Sequence, residues 1–214
     1  MTYFIESGPE NAIYRMIIAH GAGAGISSPF LEAIAALLND RGLAVTRFEF
    51  DYMAQARDGG KKRPPPRAEK LTAEYANMIA TVSARKPADQ KLIIGGKSLG
   101  GRVASMIADE QFASGAIAGL VCLGYPFHAP ATPEKLRIAH LETLTAPALI
   151  VQGTRDPFGT QSEVEALRLS PSIAFQWIGD GDHDFGPRGA SGFTRSGNLT
   201  DAADAVAAFL QRLS

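Results

Sequence analysis

Ser98 stands in Gly96-Lys97-Ser98-Leu99-Gly100, directly after the apolar run Leu92-Ile93-Ile94 and before a helically spaced set, Val103, Met106 and Ile107. A serine hydroxyl is a weak nucleophile until a base takes its proton, and a tight strand-to-helix turn can expose it to one. Such a turn demands strained backbone angles, and glycine two residues before and after the serine lets neighbouring chain approach closely. The helix behind it begins with unpaired N–H groups and a dipole that favours a developing oxyanion. Acyl transfer is the chemistry this arrangement suits. The same residues imitate the end of a phosphate-binding loop, but that motif needs glycine five positions before Gly96, where Lys91 stands.

A serine nucleophile needs a base and an acid, and two strand ends supply candidates. Asp156 lies in Gly153-Thr154-Arg155-Asp156-Pro157, just past the apolar run 148–152, and His183 lies in Gly181-Asp182-His183-Asp184, just past the run 174–178. Open α/β sheets hold ligands at such carboxyl ends. Of the four histidines, only His183 follows the candidate acid after an intervening helix and strand, so Ser98, Asp156 and His183 fall in the order nucleophile, acid, base. Asp182 and Asp184 adjoin His183 and are poorly placed to aim at its ring. No second clustered histidine or cysteine supports a metal, and neither metal nor organic cofactor is expected.

A further glycine-rich loop, His20-Gly21-Ala22-Gly23-Ala24-Gly25, also follows an apolar run. The Ala22 and Leu99 N–H groups are the expected oxyanion donors. A dinucleotide fingerprint would need glycine where Ile26 stands. The substrate-facing candidates are His20, Gly21, Lys97, Arg102 and His128, with His20 expected to organise its loop rather than act as a base. Lys97, Arg102 and the loop 57–67 carry positive charge that could favour an acyl or leaving group bearing a carboxylate or phosphate.

These residues need a frame. Short apolar runs at 13–19, 44–50, 91–95, 117–123, 148–152 and 174–178 read as strands buried on both faces, and helical stretches alternate with them. That alternation predicts a doubly wound, mostly parallel α/β sheet in one domain spanning residues 1–214. Ser28 and Pro29 start one helix, with Gly42 past its end, and the last helix is expected from near Thr200. Residues 58–67, Asp-Gly-Gly-Lys-Lys-Arg-Pro-Pro-Pro-Arg, can only be loop.

Composition fits this frame. The chain has 214 residues, 45% hydrophobic and 20% charged, and a formal net charge of −1, so no global charge points to nucleic acid or an anionic membrane. Residues 1–10 lack the basic-then-apolar pattern of a secretory signal, and no apolar run reaches membrane-spanning length. The lone Cys122, inside an apolar strand, reads as a buried thiol. A cytoplasmic protein acting on a small acyl substrate is expected; oligomeric state is not legible.

The motifs resemble those of the α/β-hydrolase superfamily. More narrowly, the chain resembles the dienelactone-hydrolase-like family that includes testis-expressed protein 30 and a domain of a nonspecific-lethal acetyltransferase complex subunit. The resemblance rests on residues 20–25, 95–102, Gly124-Tyr125-Pro126-Phe127-His128, Pro133-Glu134-Lys135-Leu136-Arg137, 152–159 and 181–184, and spans nearly the whole chain. It implies a minimal α/β-hydrolase fold with no large cap domain, Ser98 as nucleophile, Asp156 as acid and His183 as base. The narrower family has no settled substrate, and its nuclear members look like scaffold components. A binding protein that keeps the fold without turnover is therefore the rival reading.

Overall fold

In the computed structural model, which describes residues 2–57, 59 and 64–213, the apolar runs pair into one seven-stranded sheet. The strands are β1 (Phe4–Ser7), β2 (Tyr14–Ala19), β3 (Ala44–Phe48), β4 (Lys91–Lys97), β5 (Gly119–Leu123), β6 (Ala148–Gly153) and β7 (Ile173–Ile178). The helices are α1 (Pro29–Asn39), α2 (Asp51–Arg57), α3 (Thr72–Ser83), α4 (Leu99–Ala113), α5 (Gln161–Glu165) and α6 (Arg195–Gln211). The strand order is β1-β3-β2-β4-β5-β6-β7, with every pair parallel except β1 against β3.

Burial on both faces explains the apolar runs. Ile17 and Ala19 of β2 join the core under α3 and α4, while Met16 and Ile18, one residue out of step, join the core under α1 and α6. A strand turns successive side chains to opposite faces, so a strand covered twice must be apolar at nearly every position. The order reverses around β2, with β3 on one side and β4 on the other. The chain therefore leaves the ends of β2 and β4 in opposite directions, which opens a crevice there. The glycine loop after β2 and the turn bearing Ser98 after β4 flank that crevice.

Three departures from the sequence reading have physical causes. β1, Phe-Ile-Glu-Ser, is a short antiparallel edge strand that is half exposed, so it carries no apolar run. Helix α6 starts at Arg195 rather than near Thr200, because Thr194 caps it by accepting the Gly197 N–H at 3.0 Å and its first turn is polar. The short α2 buries no residue and so leaves no periodic signal. Of the loop expected at 58–67, Asp58, Gly60, Lys61, Lys62 and Arg63 lie outside the described residues; residues 64–67 have no regular structure.

Among the described residues no separate cap domain rises above the sheet. Residues 124–147 form neither helix nor strand, yet Tyr125, Phe127, Ile138, Leu141 and Leu144 bury themselves in the core. Ser105 of α4 bonds His140 at 2.8 Å and holds this segment against the helix. Among the described residues no helix is long and apolar enough to cross a membrane.

Candidate active site

β4 runs two residues further than its apolar core suggests, to Lys97, and delivers Ser98 with φ 51° and ψ −113°. Such angles in a non-glycine residue cost about 1–3 kcal/mol and persist only where the surroundings enforce them. Here the Ser98 N–H donates to Leu123 O at 3.0 Å and the Ser98 carbonyl accepts from the Arg102 N–H at 3.0 Å. A side chain at Gly96 would sit 2.6 Å from Ala19 O, and one at Gly100 would strike the same carbonyl. The two glycines thus let the turn press against the end of β2. The Leu99 and Ala22 N–H groups beside Ser98 donate to no other group among the described residues.

Asp156 and His183 come from separate strand ends and meet: His183 Nδ1 lies 2.8 Å from Asp156 Oδ2. The carboxylate is fully buried and also accepts from Gln152 Nε2 at 3.0 Å and from the Phe158 N–H at 2.9 Å. With its oxygens held this way, Asp156 directs the Nδ1 proton of His183 toward itself and leaves Nε2 as the basic nitrogen. Phe158 packs on the imidazole, with ring centroids 4.3 Å apart. Asp182 is occupied elsewhere, accepting the Asp184 and Gly186 N–H groups at 2.9 and 2.8 Å. Asp184 pairs with Lys97 at 3.3 Å.

Ser98 lines two clefts, one of about 480 Å³ and one of about 410 Å³. The first is mostly apolar, with Ala22, Pro29, Phe30 and Leu31 in its walls, and His183 also lines it. The second runs over α4 and includes Arg67, Arg102 and Arg137.

The five substrate-facing candidates divide. Gly21 and Lys97 line the first cleft and Arg102 the second. Lys97, only 6% exposed, extends its ammonium under the histidine loop, donating to His183 O at 2.7 Å and lying 5.3 Å from the Phe30 ring centre. Burial lowers its pKa, opposed by Asp184 and Asp156. His20 and His128, also expected to face a substrate, line neither of these two clefts. The Phe50 N–H reaches His20 Nε2 at 3.2 Å and His20 Nδ1 lies 2.6 Å from Gly21 O, so both ring nitrogens are committed. Burial lowers the His20 pKa to about 4, keeping the ring neutral. His128 is buried, with Nδ1 3.2 Å from Ala129 O and Nε2 3.6 Å from Glu163.

Two supporting residues escaped the sequence reading. Gln152, fully buried, donates to Asp156 and accepts the Tyr125 N–H at 2.7 Å; its signal was a polar residue ending an apolar run. Asn198 donates to Phe185 O at 2.7 Å and Gly179 O at 3.2 Å, tying α6 to the histidine loop. Cys122 is buried, and burial raises its thiol pKa. Among the described residues no group of three or more His, Cys, Asp or Glu side chains could hold a metal.

Solved structures share this architecture. Dienelactone hydrolase from Anabaena variabilis aligns with a TM-score of 0.73 at 22% identity, over 98% of this chain and 90% of its own. An alpha-beta serine hydrolase homologue from Coxiella burnetii aligns at 0.70 and 18%, over 99% and 91%. A lidless α/β serine hydrolase from Xanthomonas campestris aligns at 0.67 and 16%, over 98% and 88%. At these identities the likeness is one of fold. Residues 12–211 match the family described as an alpha/beta hydrolase domain, and the chain belongs to that family.

Proposed function

We propose that this hydrolase cleaves an ester or related acyl bond through Ser98, His183 and Asp156, by way of an acyl-enzyme. The observation that carries the reading is the 2.8 Å bond from His183 to buried Asp156, beside a cleft that Ser98 also lines. His183 Nε2 takes the hydroxyl proton as Ser98 Oγ bonds the acyl carbon, and the carbonyl electrons move onto oxygen. The Leu99 and Ala22 N–H groups, with no other acceptor among the described residues, stabilise that oxyanion. The bond to the leaving group then breaks, and the leaving group takes the proton from His183. Water, deprotonated by the same nitrogen, releases the acid and restores Ser98.

The solved relatives described as serine hydrolases support the reaction class by kinship of fold. The narrower kinship with the testis-expressed protein 30 group belongs to the same reading and rests on the motifs around His20, Ser98 and Asp156. A fluorophosphonate probe tests the whole apparatus. Its adduct is expected on Ser98, and Ser98→Ala should lose both the adduct and turnover of p-nitrophenyl butyrate. Folded wild-type protein that takes no label at Ser98 overturns the proposal and leaves the fold as a binding scaffold.

A further inference from the structure

The clefts on either side of Ser98 differ in charge. In the first, the buried Lys97 ammonium is already engaged by His183 O and by Asp184. In the second, Arg67, Arg102 and Arg137 gather beside Ser98 and Leu99. Among the described residues, one carboxylate answers them: Glu69, paired with Arg102 at 3.0 Å. Among the described residues the Arg137 side chain makes no hydrogen bond or ion pair, and Arg102 Nε is buried without an acceptor.

The cluster costs the fold something. Burial lowers the Arg137 pKa and the positive charge of Arg102 lowers it further, with Tyr125 and Glu69 opposing. Two guanidinium groups drawn partly out of water repel each other, and an unused buried donor forfeits its hydration. The main chain that carries each is nevertheless anchored. The Tyr125 hydroxyl donates to Arg137 O at 2.8 Å, and Arg102 sits in the first turn of α4, to which the Ser105–His140 bond clamps the 124–147 segment. Two neighbouring guanidinium forks that share one carboxylate, Glu69, keep positive charge and spare donors suited to bidentate recognition of an oxyanion.

We infer that the second cleft is an oxyanion subsite: with Ser98 as the nucleophile proposed above, Arg102 and Arg137, with Arg67 at the rim, hold a carboxylate or phosphate carried by the scissile ester. The subsite adjoins the nucleophile, so the anion belongs to the acyl or leaving group itself. The first cleft, mostly apolar, takes the opposite side of the ester.

The test has a kinetic arm and a binding arm. The kinetic arm compares kcat/KM for p-nitrophenyl butyrate with that for the anionic p-nitrophenyl hemiglutarate at low salt. Wild type should prefer the anion about 10- to 100-fold. The preference should shrink at high salt, fall to about one in Arg137→Met and recover in part in Arg137→Lys. Equal rates for the two esters, or a preference that survives in Arg137→Met, overturn the subsite and leave the esterase reading intact.

The binding arm titrates glutarate and inorganic phosphate, by calorimetry, into the Ser98→Ala protein, which needs no turnover. Binding of either, weakened about tenfold or more by adding Arg137→Met, supports the subsite even if no ester is hydrolysed, and the tighter of the two names the anion. Binding of neither overturns it. If Arg137→Met does not fold, Arg67→Ala and the salt dependence of the wild-type preference decide in its place. Loss of preference with salt and with Arg67→Ala supports the subsite; no loss with either refutes it.

Discussion

Acidifying the solution from pH 7 to pH 5 should destabilise the native protein through His20, which anchors the glycine loop that carries Ala22. His20 Nε2 accepts the Phe50 N–H, so its single proton sits on Nδ1 and points to Gly21 O. A second proton would remove the acceptor of a buried amide and place a charge in a fully buried position. The native pKa is accordingly about 4, against 6.5 for an ordinary histidine. Between those values the unfolded chain holds a proton that the native protein refuses. Stability therefore rises with pH across this window, is complete above about pH 6.5, and is lost as pH falls toward 4. The whole window is worth about 3 kcal/mol, of which about 2 kcal/mol falls between pH 7 and pH 5.

Urea unfolding of wild type and His20→Gln at both pH values measures this. Glutamine keeps a donor and an acceptor but does not titrate. The His140 pKa is also lowered by burial, but His140 is present in both proteins, so the difference between their pH responses isolates His20. With a urea slope of about 2–3 kcal/mol/M, the wild-type midpoint should drop about 0.7–1 M more than that of the variant. Any constant loss of stability in the variant cancels in this comparison. Equal drops in the two proteins would refute the assignment of a neutral, doubly bonded His20.

Three further outcomes are expected. Lys97→Met removes a charged donor to His183 O, a bond of about 1.5–3 kcal/mol. If Lys97 positions the base, kcat on p-nitrophenyl butyrate falls about 10- to 100-fold with little change in KM, and an unchanged kcat would show that the bond serves stability alone. Asp156→Asn should lower kcat by roughly 10³–10⁴, because the amide no longer enforces the useful tautomer of His183; a loss under tenfold would remove Asp156 from the mechanism. Tyr75→Phe leaves the Gly95 N–H without the hydroxyl it reaches at 2.8 Å inside the sheet. It should cost about 1–3 kcal/mol in urea unfolding, and a loss below about 0.5 kcal/mol would show that the site repairs itself.

The strands, the turn at Ser98 and the order of Asp156 and His183 were legible in the sequence because each is encoded locally. Burial on both faces writes itself as an unbroken apolar run such as Leu120–Leu123, and the backbone angles at Ser98 write themselves as flanking glycines. Edge strand β1 and the polar first turn of α6 lack such a signature, since neither exposes a face that must be apolar throughout. The charges near the serine looked alike in the sequence, but their surroundings differ. Lys97 is spent on His183, 86 residues away, and Arg102 meets Arg137 only because the 124–147 segment folds back over α4.

The sequence by itself therefore determined the sheet and the strand ends at which Ser98, Asp156 and His183 stand, because hydrophobic period and turn chemistry are properties of neighbouring residues. Which nitrogen of His183 meets Asp156, and which cations near Ser98 have an ion partner among the described residues, were decided only by tertiary structure. Strand register and the packing of loops set those distances, and both are properties of residues far apart in the chain.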